Sequence, residues 1–357
     1  MFALMVLVPV LLGMVVVAAM NDGSKAIKLI SMVAGLAPLF TVPFLVGQVG
    51  TVQSINWFSV QWGLFQITVS LLPINILLFF LVALIAPIVL VYSWGFMNVL
   101  YENKRFYIEL LAFEASMLAF SLSGNFVLLF IAWEFLSATS YLLIGFWNYK
   151  ESATNAARKT ITMMLIGDIA LLASIAIFFT TFSTLQFSTL ITGVQSSGLG
   201  AGGTAAMILL CIALFTKSAQ FPFQEWLPTA MEGPTPVSAL MHSSTMVKAG
   251  VFVIMLLFPL FVAAHMLTEI AVVGAITALV GTGNALFGTH IKKILAYSTI
   301  EELGLMLFAL GVGAYAAAVF FFFVQTFYKA LLFLYSGALM KANGNDRIKE
   351  IKVCALN

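Results

Sequence analysis

The chain has 357 residues, 62% of them hydrophobic, with only 16 basic and 14 acidic side chains and a net charge of +2. Charged residues make up 8%, against about 25% in an ordinary soluble domain, and the mean hydropathy is +1.08. That leaves too little polar surface to cover a water-soluble globule of this size, so a soluble enzyme is excluded.

A bilayer core about 30 Å thick takes roughly 20 apolar helical residues per crossing. Runs of that kind fall at 1–20, 28–47, 73–95, 106–122, 124–147, 155–180, 204–228, 235–260, 268–288, 292–311 and 313–340. The alternating polarity of membrane barrel strands is absent. The expected fold is therefore an all-α polytopic membrane protein of about 11 transmembrane helices. The first run has neither a basic flank nor a small-residue cleavage site, which reads as a retained helix rather than a signal peptide. The connections 48–72 and 181–203 are long and uncharged, without the composition of a folded extramembrane domain. The chemistry is accordingly expected within the bilayer.

The basic residues test the count through the positive-inside rule. With the N-terminus outside, one set of loops holds Lys25, Lys28, Lys104, Arg105, Lys150, Arg158, Lys159, Lys292 and Lys293, and the C-terminal tail adds Lys341, Arg347, Lys349 and Lys352. The expected placement is a cell (cytoplasmic) membrane, multi-pass, with the N-terminus outside and the C-terminus cytoplasmic. The other three basic residues, Lys217, Lys248 and Lys329, fall deep within apolar runs. At 1.5 Å per residue they lie roughly 20–24 Å from the start of their runs, beyond easy snorkelling. Carboxyls at comparable depth are Glu114, Glu134, Asp168, Glu301 and Glu302, and His242 lies one to two turns into the eighth run.

A charge at the bilayer centre costs about 2.5–3.5 kcal/mol by insertion scales. Any one of these groups could be half of a structural ion pair; the whole set exceeds what packing requires. Several sit three or four residues from polar neighbours on one helical face: Lys248 with Ser244 and Thr245, Lys329 with Gln325 and Thr326, Glu301 with Tyr297 and Ser298. Such faces hold the ordered water that a proton relay needs. The seventh run places Pro222 five residues after Lys217. Proline interrupts the helical ladder, and discontinuous helices at mid-membrane characterise transporters. Cys211 and Cys354 form no CxxC pair, no glycine-rich nucleotide fingerprint is present, and no metal or cofactor is expected.

The stretch KSAQFPFQEWLPTAMEGPTPVSALMHSSTMVKAGVF at 217–252 closely resembles the signature of the antiporter-like subunits of the complex I superfamily. That group includes respiratory complex I pump subunits, Mrp-type cation/proton antiporters, and membrane-bound hydrogenases with their sulfur-reducing relatives. WEFLSATSYLLIGFW at 133–147, IKKILAYSTI at 291–300 and FYKALLFL at 327–334 fit in the same order. The resemblance implies an inverted-repeat fold with a broken helix 7, and roles position by position. Glu134 is similar to the fifth-helix glutamate that pairs with Lys217, and Asp168 to a sixth-helix aspartate. Lys248 and His242 take the eighth-helix lysine and histidine positions. Lys329 takes the eleventh-helix lysine position, while Glu301 and Glu302 stand where many relatives have Ser-Gln. Glu114 has no counterpart. The implied mechanism is electrostatic: the proton on Lys217 is held or released as Glu134 approaches or withdraws.

On that footing the chain divides into N-terminal helices 1–3 (1–104), a first five-helix repeat (105–262), a partial second repeat (263–340) and a cytoplasmic tail (341–357). The second repeat is expected to be incomplete, lacking a broken twelfth helix. The expected function is an ion-translocating, most simply proton-translocating, membrane subunit of a redox-driven multi-subunit complex, with no redox centre or catalytic site of its own. Implied partners are the lipid bilayer, other membrane subunits, including further antiporter-like ones, and a redox module in a peripheral arm; nucleic acid is not among them. The alternatives are an Mrp-type antiporter or inorganic-carbon uptake module, and a non-conducting scaffold.

Overall fold

The computed structural model describes residues 2–22, 24–60, 63–97 and 103–348; Lys349, Lys352 and Cys354 lie outside the described residues. In hydrocarbon a segment must satisfy its own backbone polar groups, and most of the described chain does so as helix. In order these are α1 (Phe2–Met5), α2 (Val8–Ala19), α3 (Lys25–Val46), α4 (Pro73–Phe96), α5 (Asn103–Ser121), α6 (Phe126–Ile144), α7 (Glu151–Phe182), α8 (Phe187–Ser197), α9 (Gly200–Lys217), α10 (Trp226–Thr229), α11 (Thr235–Ser243), α12 (Ala249–Leu256), α13 (Phe258–Ala263), α14 (Leu267–Leu286), α15 (Ile291–Gly311) and α16 (Tyr315–Asn343). Ser24 starts α3 by accepting from Ala26 N at 3.3 Å, and Asn125 starts α6 by accepting from Leu128 N at 3.0 Å.

Among the described residues, nine helical stretches are long and apolar enough to cross a membrane. The expected count of eleven is not confirmed. The run at 1–20 splits into α1 and the 12-residue α2. The run at 106–122 lies in α5, which carries Lys104, Arg105, Glu109 and Glu114. A second departure is the connection 48–72. It folds as a hairpin of β1 (Val52–Val60) and β2 (Gly63–Ser70), antiparallel, with Ile55 opposite Ile67. Polar cross-strand pairs hold it: Asn56 with Gln66 at 2.9 Å and Ser54 with Thr68 at 3.0 Å. Asn125 donates to Gln66 O at 2.6 Å and Gln186 to Thr68 Oγ1 at 2.8 Å, so the hairpin is tied to the starts of α6 and α8. The second long connection, 181–203, likewise contains α8.

At the other end of the bundle, lysines meet the carbonyls that helix C-termini leave free. Lys104 donates to Met20 O at 2.9 Å, Lys28 to Trp94 O at 3.1 Å and Lys341 to Gly95 O at 2.9 Å. Met20, the start of α3, the ends of α4 and α16, and the start of α5 therefore share one end.

α14 and α15 pack backbone to backbone along a seam of small residues. An added Cβ on Gly274 would stand 2.5 Å from Phe308 N, and one on Gly304 2.6 Å from Ala278 N. Only small residues allow two backbones this close. Gly304→Leu is expected to lower stability by roughly 2–3 kcal/mol by forcing the pair apart, read as an earlier unfolding midpoint in detergent. An unchanged midpoint would refute the seam.

Candidate functional site

α9 stops at Lys217. Ala219 takes a left-handed conformation at φ +49, and Pro222, after a cis Phe221–Pro222 bond, offers no N–H, so the chain runs extended or turned until Trp226. The break expected at Pro222 thus begins at the lysine itself. Gly250 lets α12 approach this break, and Ser218 Oγ accepts from Val251 N at 3.2 Å.

Lys217 is 1% exposed. Its Nζ donates to Ser137 Oγ and, at 3.3 Å, to Trp133 O, and it lies 4.6 Å from the centre of the Trp133 ring. Asp168 Oδ1 stands 3.9 Å from it. Asp168 accepts from Trp133 Nε1 at 2.6 Å, and its other oxygen is 3.3 Å from Ser137 Oγ. Lys217 therefore pairs with the sixth-helix position rather than with Glu134. Trp133 and Ser137, one turn apart on α6, both face the lysine, and Glu134 is turned about 100° from Trp133. Glu134 is half-buried with one carboxyl oxygen unpartnered among the described residues, within electrostatic reach of both Lys217 and Asp168.

The eighth run, expected to be continuous over 235–260, is interrupted. α11 ends at Ser243, residues Met246–Lys248 form a single 3₁₀ turn, and α12 comes next. Consecutive hydroxyls at Ser243, Ser244 and Thr245 are the legible signal, because such side chains compete for backbone carbonyls; Thr245 Oγ1 donates to Leu240 O at 2.8 Å. The buried Lys248 leaves its own helix and donates to Phe322 O at 2.7 Å and Thr326 Oγ1 at 2.5 Å, both on α16. Its ammonium thus turns to α16, away from the neighbouring Ser244 and Thr245 hydroxyls.

Lys329 occupies the midpoint of the 29-residue α16. It forms an ion pair with Glu302 at 3.0 Å and donates to Ser298 Oγ at 2.7 Å. Gln325 donates to the second oxygen of Glu302 at 3.0 Å. Thr326 and Lys329 are three residues apart on one face, so Lys248 and the Lys329–Glu302 pair share one side of α16. Glu301 is half-buried and near Lys329 electrostatically, but joins no ion pair among the described residues. His242 is fully buried and stacks on Phe333 at 4.9 Å; neither ring nitrogen has a hydrogen-bond partner among the described residues.

Two acid–lysine pairs thus flank a third lysine, with Ser137, Thr326 and Ser298 hydroxyls at the junctions. Each ammonium can hold or give up a proton, each carboxylate can accept one, and hydroxyls pass protons without changing net charge. Among the described residues no group of three His, Cys, Asp or Glu side chains could hold a metal ion.

Residues 123–353 match the family model described as NADH:quinone oxidoreductase/Mrp antiporter, transmembrane. Over 274 residues the chain is 40% identical to NAD(P)H-quinone oxidoreductase subunit 5 of Anthoceros angustus chloroplasts, covering 75% of this chain and 37% of that protein. Over 302 residues it is 39% identical to NAD(P)H-quinone oxidoreductase chain 5 of Synechocystis, covering 82% and 44%. The chain thus spans less than half the length of these curated relatives. Among solved structures, a chain of the Mrp complex from Dietzia sp. superposes with a TM-score of 0.82 at 28% identity, covering 95% of this chain and 38% of that one. A chain of an archaeal membrane-bound sulfane sulfur reductase superposes with a TM-score of 0.85 at 20% identity, covering 98% and 73%, a likeness of fold.

Proposed function

The chain belongs to the NADH:quinone oxidoreductase/Mrp antiporter membrane family, and from that premise we propose that it translocates protons as a membrane subunit of a redox-driven, multi-subunit complex. The observation that carries the reading is the Lys217–Asp168 pair at a helix break, together with Lys248 reaching across to the α16 face that holds Lys329–Glu302. The proton path comprises Asp168, Lys217, Lys248, Lys329 and Glu302. Glu134, Glu301 and His242 lie beside it as groups whose charge or reorientation biases the pairs. Redox chemistry resides in partner subunits, among them further antiporter-like subunits and a peripheral redox arm. Residues 105–262 hold the first half of the path, 263–340 contribute Lys329 and Glu302, 1–104 flank it and 341–357 form the tail.

Electrostatics supplies the coupling. When Glu134 moves towards the Lys217–Asp168 pair it adds a negative charge beside the ammonium, which holds the proton; withdrawal releases it towards Lys248. A membrane potential contributes about 2.3 kcal/mol per charge per 100 mV, a scale that rearranged ion pairs in a low-dielectric interior can match. The lysines clustered at one end of the bundle favour an orientation in a cell membrane with that end and the C-terminus cytoplasmic.

The test is proton uptake by vesicles holding the intact complex, driven by an electron donor. Lys248→Ala is expected to cut protons moved per electron about tenfold, because the lysine that spans the two halves of the path is gone. An unchanged ratio would make the chain a scaffold. The structural match to the Dietzia Mrp chain favours a second reading, cation/proton exchange without redox chemistry. Exchange that persists with no electron donor and is lost in Lys248→Ala would establish it.

A further inference from the structure

Glu114 takes no part in the path above. It is 1% exposed in the middle of α5, yet neither carboxyl oxygen has a hydrogen-bond partner among the described residues. A buried carboxyl without partners is costly unless water or a bound proton satisfies it. Towards the end of α5 that carries Lys104 and Arg105, Tyr107 OH and Asn103 Oδ1 are also buried and unpartnered among the described residues. Positions 103, 107 and 114 lie within about 40° of one another around the helix. Facing them on α3 is Gly35, where an added Cβ would stand 2.9 Å from Glu114 Oε2. One turn earlier on the same face is Ser31, fully buried, its hydroxyl also unpartnered among the described residues.

Four polar side chains, each with an oxygen unpartnered among the described residues, therefore line the α3–α5 seam. Beyond Glu114 the buried Met117 and Leu118 separate it from the next polar group on this face, Ser121, whose hydroxyl is already satisfied by Leu118 O at 2.7 Å. The charged and titratable groups around the seam are few: Lys104 and the Arg105–Glu109 pair at 2.7 Å on α5 itself, Lys25 and Lys28 at the start of α3, Tyr92 on α4, Glu134 and Tyr141 on α6, and none on α2. A single carboxylate among hydroxyls is a poor cage for a metal cation, which needs several oxygen ligands. It suits a proton delivered through water. We propose that Glu114 is a second proton-binding site, fed by water along the α3–α5 seam from the Asn103 end and separate from the Lys217–Lys329 axis.

Infrared spectroscopy of the full chain in lipid, exchanged from H₂O into D₂O, tests this with water itself as the probe. Wild type is expected to show a carboxylic-acid carbonyl band that shifts promptly on exchange and is missing in Glu114→Gln. Ser31→Val, which lines the seam with methyl groups, should slow that shift about tenfold. Lys217→Ala should leave the band and its exchange unchanged. Glu114→Asp keeps the acid and moves the band, which assigns it if the glutamine variant does not fold. A band that never exchanges, no band lost in Glu114→Gln, or a response to Lys217→Ala would each overturn the proposal. The readout needs no ion pumping, so it stands or falls apart from the function proposed above.

Discussion

Lys217→Ala is expected to lower proton translocation by the reconstituted complex about 100-fold, equivalent to ~2.7 kcal/mol on the barrier, while the chain still folds. Lys217 is the buried ammonium at the α9 break, and it meets Ser137, Trp133 O and Asp168 together. Without it the proposed path lacks the ammonium that meets Asp168. The informative companion is Lys217→Arg. A guanidinium keeps the charge and can still pair with Asp168, but it does not give up its proton. If Lys217 carries protons, the arginine variant is folded and equally inactive; if it is a structural cation, the arginine variant pumps normally. Vesicle acidification with an electron donor separates the two outcomes directly.

Asp168→Leu is expected to produce the largest loss of stability among these variants. It leaves Lys217, 1% exposed, without its counter-ion, and also strands Trp133 Nε1, which donates to Asp168 at 2.6 Å. Breaking a buried pair from one side costs roughly 3–5 kcal/mol, whereas replacing both partners by apolar groups is often nearly neutral. Asp168→Leu alone should therefore unfold at a much lower temperature, and Asp168→Leu with Lys217→Met should recover most of that loss without recovering transport. Thermal unfolding of the four corners of this cycle checks the coupling. Simple additivity would show that the two residues do not act as a pair.

The residue types and depths of the path were legible in the chain; their partners were not. Lysines at mid-run and carboxyls at matching depth emerge from hydropathy, and Pro222 marks the seventh-helix break. Which acid meets which base depends on rotation about helix axes and on how far a break tilts the next segment. Lys217 meets Asp168 because Trp133 and Ser137, not Glu134, face it. Lys248 meets Thr326 because the chain unwinds at 244–248, an interruption without proline or glycine. The β1–β2 hairpin escaped notice for another reason. A scan for apolar helical runs passes over a connection whose stability comes from cross-strand pairs and from Asn125 and Gln186, remote in sequence.

The glycine seam between α14 and α15 distributes stiffness unevenly around the second ion pair. With Gly281 against the backbone of Glu301, and Gly274 and Gly304 against the opposing backbones, these two helices behave mechanically as one plank. Glu302 is mounted on that plank and has no freedom to swing with its helix. Lys329 is mounted on α16, a single long rod joined to α15 through side chains such as Ser298 and Glu302. Were the pair to open, this mounting would make the acid the stator and the lysine the moving part.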